Sequence, residues 1–148
     1  MTDAAEGKEL VRRFFAALSS LRPDDWIALW HEDGVFDQPF PPEPGYPARL
    51  EGVEAIHNHV RSIDQVFGEL TFHDLVVHAT DDPQLFVATL RSEGSVVATG
   101  HRYENEYVTL LRLRDGKVVQ YREFFNPLKV LEAFGGMETL GSSFHVDG

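Results

Sequence analysis

The feature that most restricts the fold of this sequence is a change in the spacing of its apolar residues near residue 70. Within residues 3–21, Leu10, Phe14 and Leu18 recur at the four-residue spacing of one helical face. From Phe72 onward, apolar and polar residues alternate instead, with the two-residue period of a strand. Helices followed by a run of strands predict an α+β domain, in which the helices cover one face of a curved antiparallel sheet.

The same spacing predicts where the individual elements lie. Three helices are expected before the sheet: residues 3–21, a short helix that Pro23 opens and "HEDG" (31–34) ends, and residues 51–68. "VFDQPF" (35–40) predicts a short strand, and the prolines around it predict a loop over 38–49. Further strands are expected at about 71–79, 85–93, 96–113 and 117–125, followed by a short helix in "LKVLEAFGG". We expect a single domain over residues 1–134 and a C-terminal tail at 135–148.

Length and composition narrow the class of protein. A chain of 148 residues suffices for one domain with a sizeable core. Its net charge of −11 argues against a nucleic-acid partner, because phosphate binding needs a basic surface. Without cysteine there are no disulfides, thiol nucleophiles or cysteine-bound metals. The sequence has neither an apolar signal segment nor a run of membrane-spanning length, so we expect a cytoplasmic protein that makes no membrane contact.

No motif indicates a metal or a cofactor. "HEDG" lacks a second histidine at metalloprotease spacing, and the sequence has neither a glycine-rich nucleotide loop nor a serine nucleophile elbow. His57 and His59 lie two residues apart on a predicted helix, so their side chains diverge and cannot bind one metal ion together. We therefore expect no cofactor.

The orientation of Glu123 in the last hairpin depends on the length of its turn. A two-residue Asp115-Gly116 turn would set Glu123 opposite Val108 and turn charged residues of both strands inward. A three-residue turn that begins at Arg114 would set Glu123 opposite Tyr107 instead. Because register is determined by what it buries, the second arrangement is favoured and Glu123 is predicted to face inward.

An inward Glu123 would lie among aromatic and amide side chains, which are Tyr103, Asn105, Tyr107, Tyr121 and Phe125. Burial raises the pKa of a carboxyl group, which suits a general acid or base near neutral pH. The same residues are also consistent with a structural carboxylate that tyrosine hydroxyls satisfy. The pattern leaves both interpretations open.

Several other residues are candidates for the same site. His59 lies beside the inward stripe of the helix at 51–68, where a packed structural histidine is the simpler interpretation. Trp30 is expected in the wall, and Tyr46 in the proline-rich loop as a lid. His101 shares the inward parity of Tyr103 if its strand is regular.

The order of helices and meander, with a polar residue inside the last strands, resembles the nuclear transport factor 2-like superfamily. This superfamily includes ketosteroid isomerases and SnoaL-like polyketide cyclases. The resemblance implies a cone-shaped fold with a central pocket and a homodimer formed through the outer sheet face. More specifically, "YEN" (103–105), the Asp-Gly turn, "REFFNP" (122–127) and "LKVLEAFG" resemble the phenazine-biosynthesis A/B proteins.

That closer resemblance implies roles for two residues, since the glutamate of "REF" and the helical histidine act as acid–base residues in that family. By position these are Glu123 and His59. Three features depart from the family. A serine one turn after the histidine falls on Ile63, the pocket arginine is not assigned, with Arg91 as its candidate, and the proline-rich loop at 38–49 differs.

Together these observations predict a cofactor-independent acid–base enzyme of secondary metabolism that acts on a small cyclic carbonyl-bearing intermediate. Its reaction would be condensation of a ketone with an amine, as the phenazine-type resemblance implies, or SnoaL-like cyclisation or isomerisation. Tyr103, Asn105 or Tyr107 would hold the developing oxyanion. The alternative is a non-catalytic small-molecule-binding or accessory protein of the same fold.

Overall fold

The computed structural model describes residues 3–42 and 46–135. Within these residues, helices and strands follow one another in the order α1 (Ala4–Ser19), α2 (Pro23–Ile27), β1 (Trp30–Asp37), β2 (Arg49–Glu51), α3 (Val53–Val60), α4 (Ile63–Val66), β3 (Phe67–Ala79), β4 (Leu85–Val96), β5 (Arg102–Arg114), β6 (Lys117–Phe125) and α5 (Pro127–Phe134). The predicted α+β class is confirmed. The predicted tail at 135–148 lies outside the described residues after Gly135.

Helix α1 packs its apolar stripe onto the sheet. It begins where the Asp3 side chain accepts a hydrogen bond from the backbone N–H of Glu6 at 2.8 Å. Gly7 lies against the ring of Phe86 on β4, and a Cβ atom at this position would be 2.2 Å from that ring. A glycine is therefore needed for α1 to lie this close to the sheet.

The six strands form one sheet in the order β2-β1-β6-β5-β4-β3. Strands β3 to β6 form the predicted antiparallel meander, whereas β1 pairs with β6 in parallel, with Phe36 opposite Tyr121. The prediction that "HEDG" (31–34) ends a helix is wrong, because these residues belong to β1. Their polar sequence has no strand pattern, and they form an irregular segment between Trp30 and Val35, the residues on either side that pair with β6.

Three other predicted boundaries are also wrong. The predicted helix at 51–68 is two helices, α3 and α4, which break at Arg61 and Ser62. Strand β2 forms where the predicted loop meets the predicted helix, with Arg49 in the former and Glu51 in the latter. The predicted strand at 96–113 starts only at Arg102, because residues 97–101 turn the chain with Gly100 at a φ of +72°.

In the final hairpin Glu123 has the predicted orientation, but the turn and the strand pairing differ from the prediction. Arg114 pairs with Lys117, so the turn has two residues, with positive φ at both Asp115 and Gly116. The predicted three-residue turn is therefore wrong. The register then shifts, since Leu113 pairs with Val118 but Arg112 pairs with Gln120.

This shift is a β-bulge that leaves Val119 as the extra residue of β6. One extra residue exchanges the two faces of the rest of the strand. Glu123 consequently faces the helices, as predicted, but it lies opposite Thr109 and not opposite Tyr107.

The helices and the inner sheet face enclose the core, while the outer face is largely polar. Outer residues of β5 such as Glu104 and Glu106 are exposed, and Val108 among them is 48% exposed. Among the described residues, every helix is too short or too polar to pass through a bilayer.

Candidate active site

A cavity of about 100 Å³ lies between the inner sheet face and the helices. Aliphatic and phenylalanine side chains form most of its wall, among them Leu18, Phe36, Val60, Leu70, Phe72 and Phe134. Among the described residues, the polar side chains that reach it are Gln38, Tyr46, His59, Tyr103, Tyr107, Tyr121 and Glu123, with the indole of Trp26. The cavity is therefore an apolar chamber with a small set of hydrogen-bonding groups, as small-molecule sites commonly are.

Within the part of the chain that the structure describes, Glu123 is the acidic side chain that lines this cavity. Burial raises the pKa of its carboxyl group to about 7 from the usual 4.5. The hydroxyl of Tyr121 donates a 2.5 Å hydrogen bond to the Oε2 atom, which favours the carboxylate and opposes part of that rise. At neutral pH both protonation states of Glu123 are therefore populated.

Tyr121 is held rigidly beside Glu123. The side chain is 1% exposed, and its ring packs against Phe14 at 4.9 Å, Phe36 at 5.1 Å and Phe15 at 5.9 Å between centroids. Packing in the core therefore fixes the position of the hydroxyl group that donates to Glu123.

A second set of hydroxyls forms a buried chain on β4 and β5. The hydroxyl oxygens of Tyr103 and Tyr107 lie 2.8 Å apart, and that of Tyr107 lies 2.8 Å from Ser92 Oγ. Burial raises the pKa of both tyrosines, and the nearby charge of Glu123 raises the pKa further. Both side chains are therefore neutral hydrogen-bonding groups at physiological pH.

Asn105 forms a hydrogen bond with the Tyr103 end of this chain of hydroxyl groups. Its Nδ2 atom donates to the hydroxyl of Tyr103 and to the backbone carbonyl of Asn126, both at 3.0 Å. Its Oδ1 atom accepts from the backbone N–H groups of Asn126 and Glu106 at 3.0 and 2.9 Å. Four hydrogen bonds fix the orientation of the amide and tie the start of α5 to β5.

His59 reaches the cavity from the helical layer, on α3. Its ring packs edge-on against Phe36 at 6.2 Å and against Tyr46 at 5.9 Å. Tyr46 lines the cavity too, while residues 43–45 of the loop that precedes it lie outside the described residues. The structure therefore brings Glu123, His59 and Tyr46 to one cavity, from the sheet, a helix and a loop.

Three of the predicted site residues do not line the cavity. Trp30 is 2% exposed and packs in the core against Trp26, 5.4 Å away between ring centroids. His101 is exposed in the turn before β5, where its Nδ1 atom lies 3.4 Å from the carbonyl oxygen of Glu132. Asn105 lies behind Tyr103. Phe125, in contrast, lines the cavity as predicted.

Sequence patterns missed two polar residues of the site. Gln38 directly follows β1 and lines the cavity, but it falls in the predicted loop, of which only Tyr46 was assigned to the site. Ser92, on β4, is 2% exposed and ends the hydroxyl chain. Ser92 lies two residues after the inward-facing Leu90 on the same strand, and this alternation could have placed it on the inner face.

Comparisons with known proteins agree with this architecture. The SnoaL-like domain matches residues 11–121. A PhzA/B-like protein of Pseudomonas aeruginosa is 34% identical over 131 residues, which are 88% of this chain and 92% of that protein. A Bacillus subtilis protein of known crystal structure is 33% identical in sequence to this chain, and the two structures align with a TM-score of 0.86 over 93% of this chain and 98% of that one.

A crystal structure of a phenazine biosynthesis-related protein from Pseudomonas aeruginosa is 25% identical, with a TM-score of 0.75 over 90% of this chain and 87% of that one. The resemblance to the phenazine-biosynthesis A/B proteins predicted from the sequence is thereby confirmed. With three quarters of its length matched, the chain belongs to the SnoaL-like domain family.

Proposed function

We propose that this protein is a cofactor-independent acid–base enzyme of secondary metabolism that acts on a small cyclic compound bearing a carbonyl group. The observation that carries this proposal is Glu123, a carboxyl group with a pKa of about 7 in an apolar cavity. A general acid or base works best when its pKa lies near the working pH. Relatives that are named phenazine biosynthesis proteins support a role in secondary metabolism.

Glu123 can act in both directions of a proton transfer. Its carboxylate form takes a proton from the carbon beside a carbonyl group, and its acid form returns a proton to a carbon or to a leaving hydroxyl group. Tyr121 holds the carboxylate oxygen in place during both steps. His59 is the proposed second proton carrier, because it lines the same cavity from the helical side.

Two reactions fit this pair of residues. In a phenazine-type condensation a ketone and an amine join, and Glu123 protonates the oxygen that leaves as water. In a SnoaL-like cyclisation or an isomerisation, Glu123 removes a proton to form an enolate that then reacts at another carbon. Both reactions start from a carbonyl compound and need no cofactor.

Exchange of carbon-bound protons tests the proposal without knowledge of the natural substrate. Acetophenone has acidic protons beside its carbonyl group, and their replacement by deuterium in D2O is followed by NMR. We expect the protein to accelerate this exchange, with a rate that rises as Glu123 ionises around pH 7. Acetophenone that binds without any acceleration would instead support the binding-protein alternative.

The proposed partner of the chain is a second copy, through the outer face of the sheet. Val108 is 48% exposed there and pairs with Phe124 of β6, so an apolar strip interrupts the polar face. Light scattering at micromolar concentration is expected to give the mass of a dimer. The mass of a monomer would contradict this proposal.

A further inference from the structure

Gln38 is a buried polar side chain that the proposed reaction does not use. It is 3% exposed and lines the cavity. Its backbone is fixed, because its N–H group donates a 2.7 Å hydrogen bond to the carbonyl oxygen of Ala48. Among the described residues, however, none forms a hydrogen bond with its side-chain amide. Buried polar groups are almost always paired, so an unpaired amide in a cavity wall indicates a partner that enters the cavity.

Two other unpaired polar groups in the described part of the chain differ from this amide. The indole N–H groups of Trp26 and Trp30 are completely enclosed by protein atoms. Their rings pack edge-on at 5.4 Å between centroids, in an aromatic cluster where an N–H group can point at a ring face. The amide of Gln38 is not enclosed in this way, so the space inside the cavity is in contact with it.

The sheet places Gln38 beside Glu123. Strands β1 and β6 run parallel, and Asp37 lies opposite Arg122. Gln38 and Glu123 are the next residues along the two chains, and the alternation of side chains turns both toward the cavity. Adjacent strands are separated by about 5 Å, so a ligand that reaches the carboxyl group of Glu123 also lies within reach of Gln38.

The chemistry of an amide determines which ligand group fits it. The side chain of Gln38 offers two N–H donors and one carbonyl acceptor side by side. A ligand that carries only a carbonyl group pairs with the donors but leaves the amide oxygen buried without a donor, which weakens binding. A ligand with an N–H or O–H group next to its carbonyl pairs with both through two reciprocal hydrogen bonds.

We propose that Gln38 is a substrate-binding residue that selects ring compounds with a hydrogen-bond donor next to a carbonyl group, such as a lactam or a hydroxyketone. This inference rests on the proposed function, because it takes the cavity as the substrate site, and it adds to that function the class of substrate. Gln38 holds the carbonyl group and the neighbouring donor, while Glu123 exchanges a proton with the same ring. An amide does not titrate near neutral pH, so this selection is independent of pH.

A matched pair of ligands tests the selection in the unmodified protein. Benzamide and acetophenone have the same ring and nearly the same shape, but benzamide carries an NH2 group where acetophenone carries a methyl group. NMR titrations are expected to give about fivefold tighter binding of benzamide. The preference should be the same below and above pH 7, the value near which Glu123 titrates. Acetophenone that binds as tightly as benzamide, or benzamide that shows no saturable binding up to about 10 mM, would overturn the inference.

Two glutamine variants test whether Gln38 is responsible. Gln38→Met keeps the length of the side chain but removes the amide, so acetophenone is then expected to bind more tightly than benzamide. Gln120→Met is the matched control, because Gln120 lies on β6 and donates to Asp37, and it should retain the preference for benzamide. A preference that persists in Gln38→Met, or that is lost equally in Gln120→Met, would overturn the assignment. A preference that disappears only below pH 7 would assign the NH2 group to Glu123 and would also overturn it.

The melting temperature of the ligand-free protein distinguishes a binding role from a structural one. Replacement of an unpaired amide removes no hydrogen bond, so Gln38→Met should melt at the same temperature as the parent protein or higher. Gln120→Met loses the 3.1 Å hydrogen bond to Asp37 and should melt about 2–4 °C lower. A comparable decrease in Gln38→Met would show that its amide is a structural group and would overturn the inference.

These measurements need no turnover, so they are independent of the proposed acid–base role. A protein in which Gln38 selects benzamide, but which never accelerates proton exchange in acetophenone, would retain this inference as a binding site and overturn the proposed function. Proton exchange that depends on Glu123, together with the same ligand preference in the parent protein and in Gln38→Met, would do the reverse.

Discussion

Glu123 and Asp37 lie on the adjacent strands β6 and β1, and their surroundings are opposite. Asp37 is 4% exposed, and its carboxylate lies 2.9 Å from Arg49, 3.1 Å from Gln120 and 3.9 Å from Arg122. Glu123 has a single hydrogen-bond donor, the hydroxyl of Tyr121, and faces an apolar cavity. Burial alone therefore does not distinguish a structural carboxylate from a candidate catalytic one.

The sheet accounts for this difference. Asp37 lies opposite Arg122, and the two side chains share the outer face of the sheet, where cations are available. Glu123 is the next residue along β6, so its side chain points to the other face. Two successive residues of β6 therefore face different surroundings: Arg122 faces the carboxylate of Asp37, and Glu123 faces the cavity. This comparison indicates that Asp37 joins β1 to both neighbouring strands, β2 and β6, whereas Glu123 remains available to exchange protons.

The largest expected effect concerns turnover. Glu123→Gln keeps the shape of the side chain but cannot exchange a proton, so we expect the rate of proton exchange in acetophenone to fall by on the order of 10² or more. Asp37→Asn is the matched change at the other carboxylate and should alter this rate by less than about twofold. Circular dichroism confirms that both variants fold. Comparable losses of rate in the two variants would contradict the distinction between them.

The second effect concerns stability as a function of pH. The pKa of Glu123 is raised to about 7 from 4.5, so between these values the folded state binds its proton more tightly than the unfolded chain does. The contribution of Glu123 to the free energy of unfolding should therefore be largest below pH 4.5, fall as the pH rises, and level off above pH 7.

We expect this loss to be on the order of 2 kcal/mol, less than about 1.4 kcal/mol per pKa unit implies, because the half-buried carboxylate is partly solvated. Chemical denaturation of the parent protein and of Glu123→Gln at several pH values isolates the contribution of this group, since glutamine does not titrate. A difference between the two proteins that does not change with pH would show that the pKa of Glu123 is not raised.

A third, smaller effect is expected at Asp37. Asp37→Asn removes the charge that Arg49 and Arg122 face, and the free energy of unfolding should fall by about 1–2 kcal/mol. The loss is limited because the side chain of Arg49 is 52% exposed and regains water. Urea denaturation at two salt concentrations provides the measurement, and the loss should shrink at high salt. An unchanged midpoint would mean that the ion pairs of Asp37 do not stabilise the pairing of β1 with β2 and β6.

The smallest effect is expected at Tyr121. Tyr121→Phe removes the hydrogen bond that lowers the pKa of Glu123, so that pKa should rise. The midpoint of the rate–pH profile for proton exchange should move to higher pH by roughly 0.5–1 unit, the worth of about one hydrogen bond. A midpoint that moves to lower pH, or that does not move, would contradict the role of Tyr121 in setting this pKa.

Much of the fold could be predicted because it depends on local periodicity. The helical spacing around Phe14 and the two-residue period after Phe72 identify the helical and stranded halves, and α1 and β6 lie close to their predicted bounds. Only the end of strand β1, from Val35, could be predicted in the same way. Its pairing with β6 joins residues far apart in sequence, and "HEDG" interrupts that pairing with a polar segment that has no local strand pattern.

The final hairpin shows how a correct conclusion can follow from a wrong turn. The burial pattern required Glu123 to face inward, and it does, but the Asp115-Gly116 turn has the two residues that its sequence favours. The bulge at Val119 reconciles the turn with the burial pattern. Bulges have no reliable sequence pattern, because they arise where two independent requirements of a strand conflict.

By itself, then, the sequence determined the class of fold, the inward side of the last strand and the candidate pair of Glu123 and His59. The tertiary structure decided which groups surround Asp37, and which of the predicted neighbours of Glu123 forms its hydrogen bond. Gln120 comes to Asp37 across 83 residues of sequence, and the core fixes Tyr121 beside Glu123. Local spacing determines which face a side chain takes, because that depends on the backbone period. The protonation state and the hydrogen-bond partners of a buried group depend on long-range packing, because other segments of the chain supply the side chains that lie within a few ångströms of it.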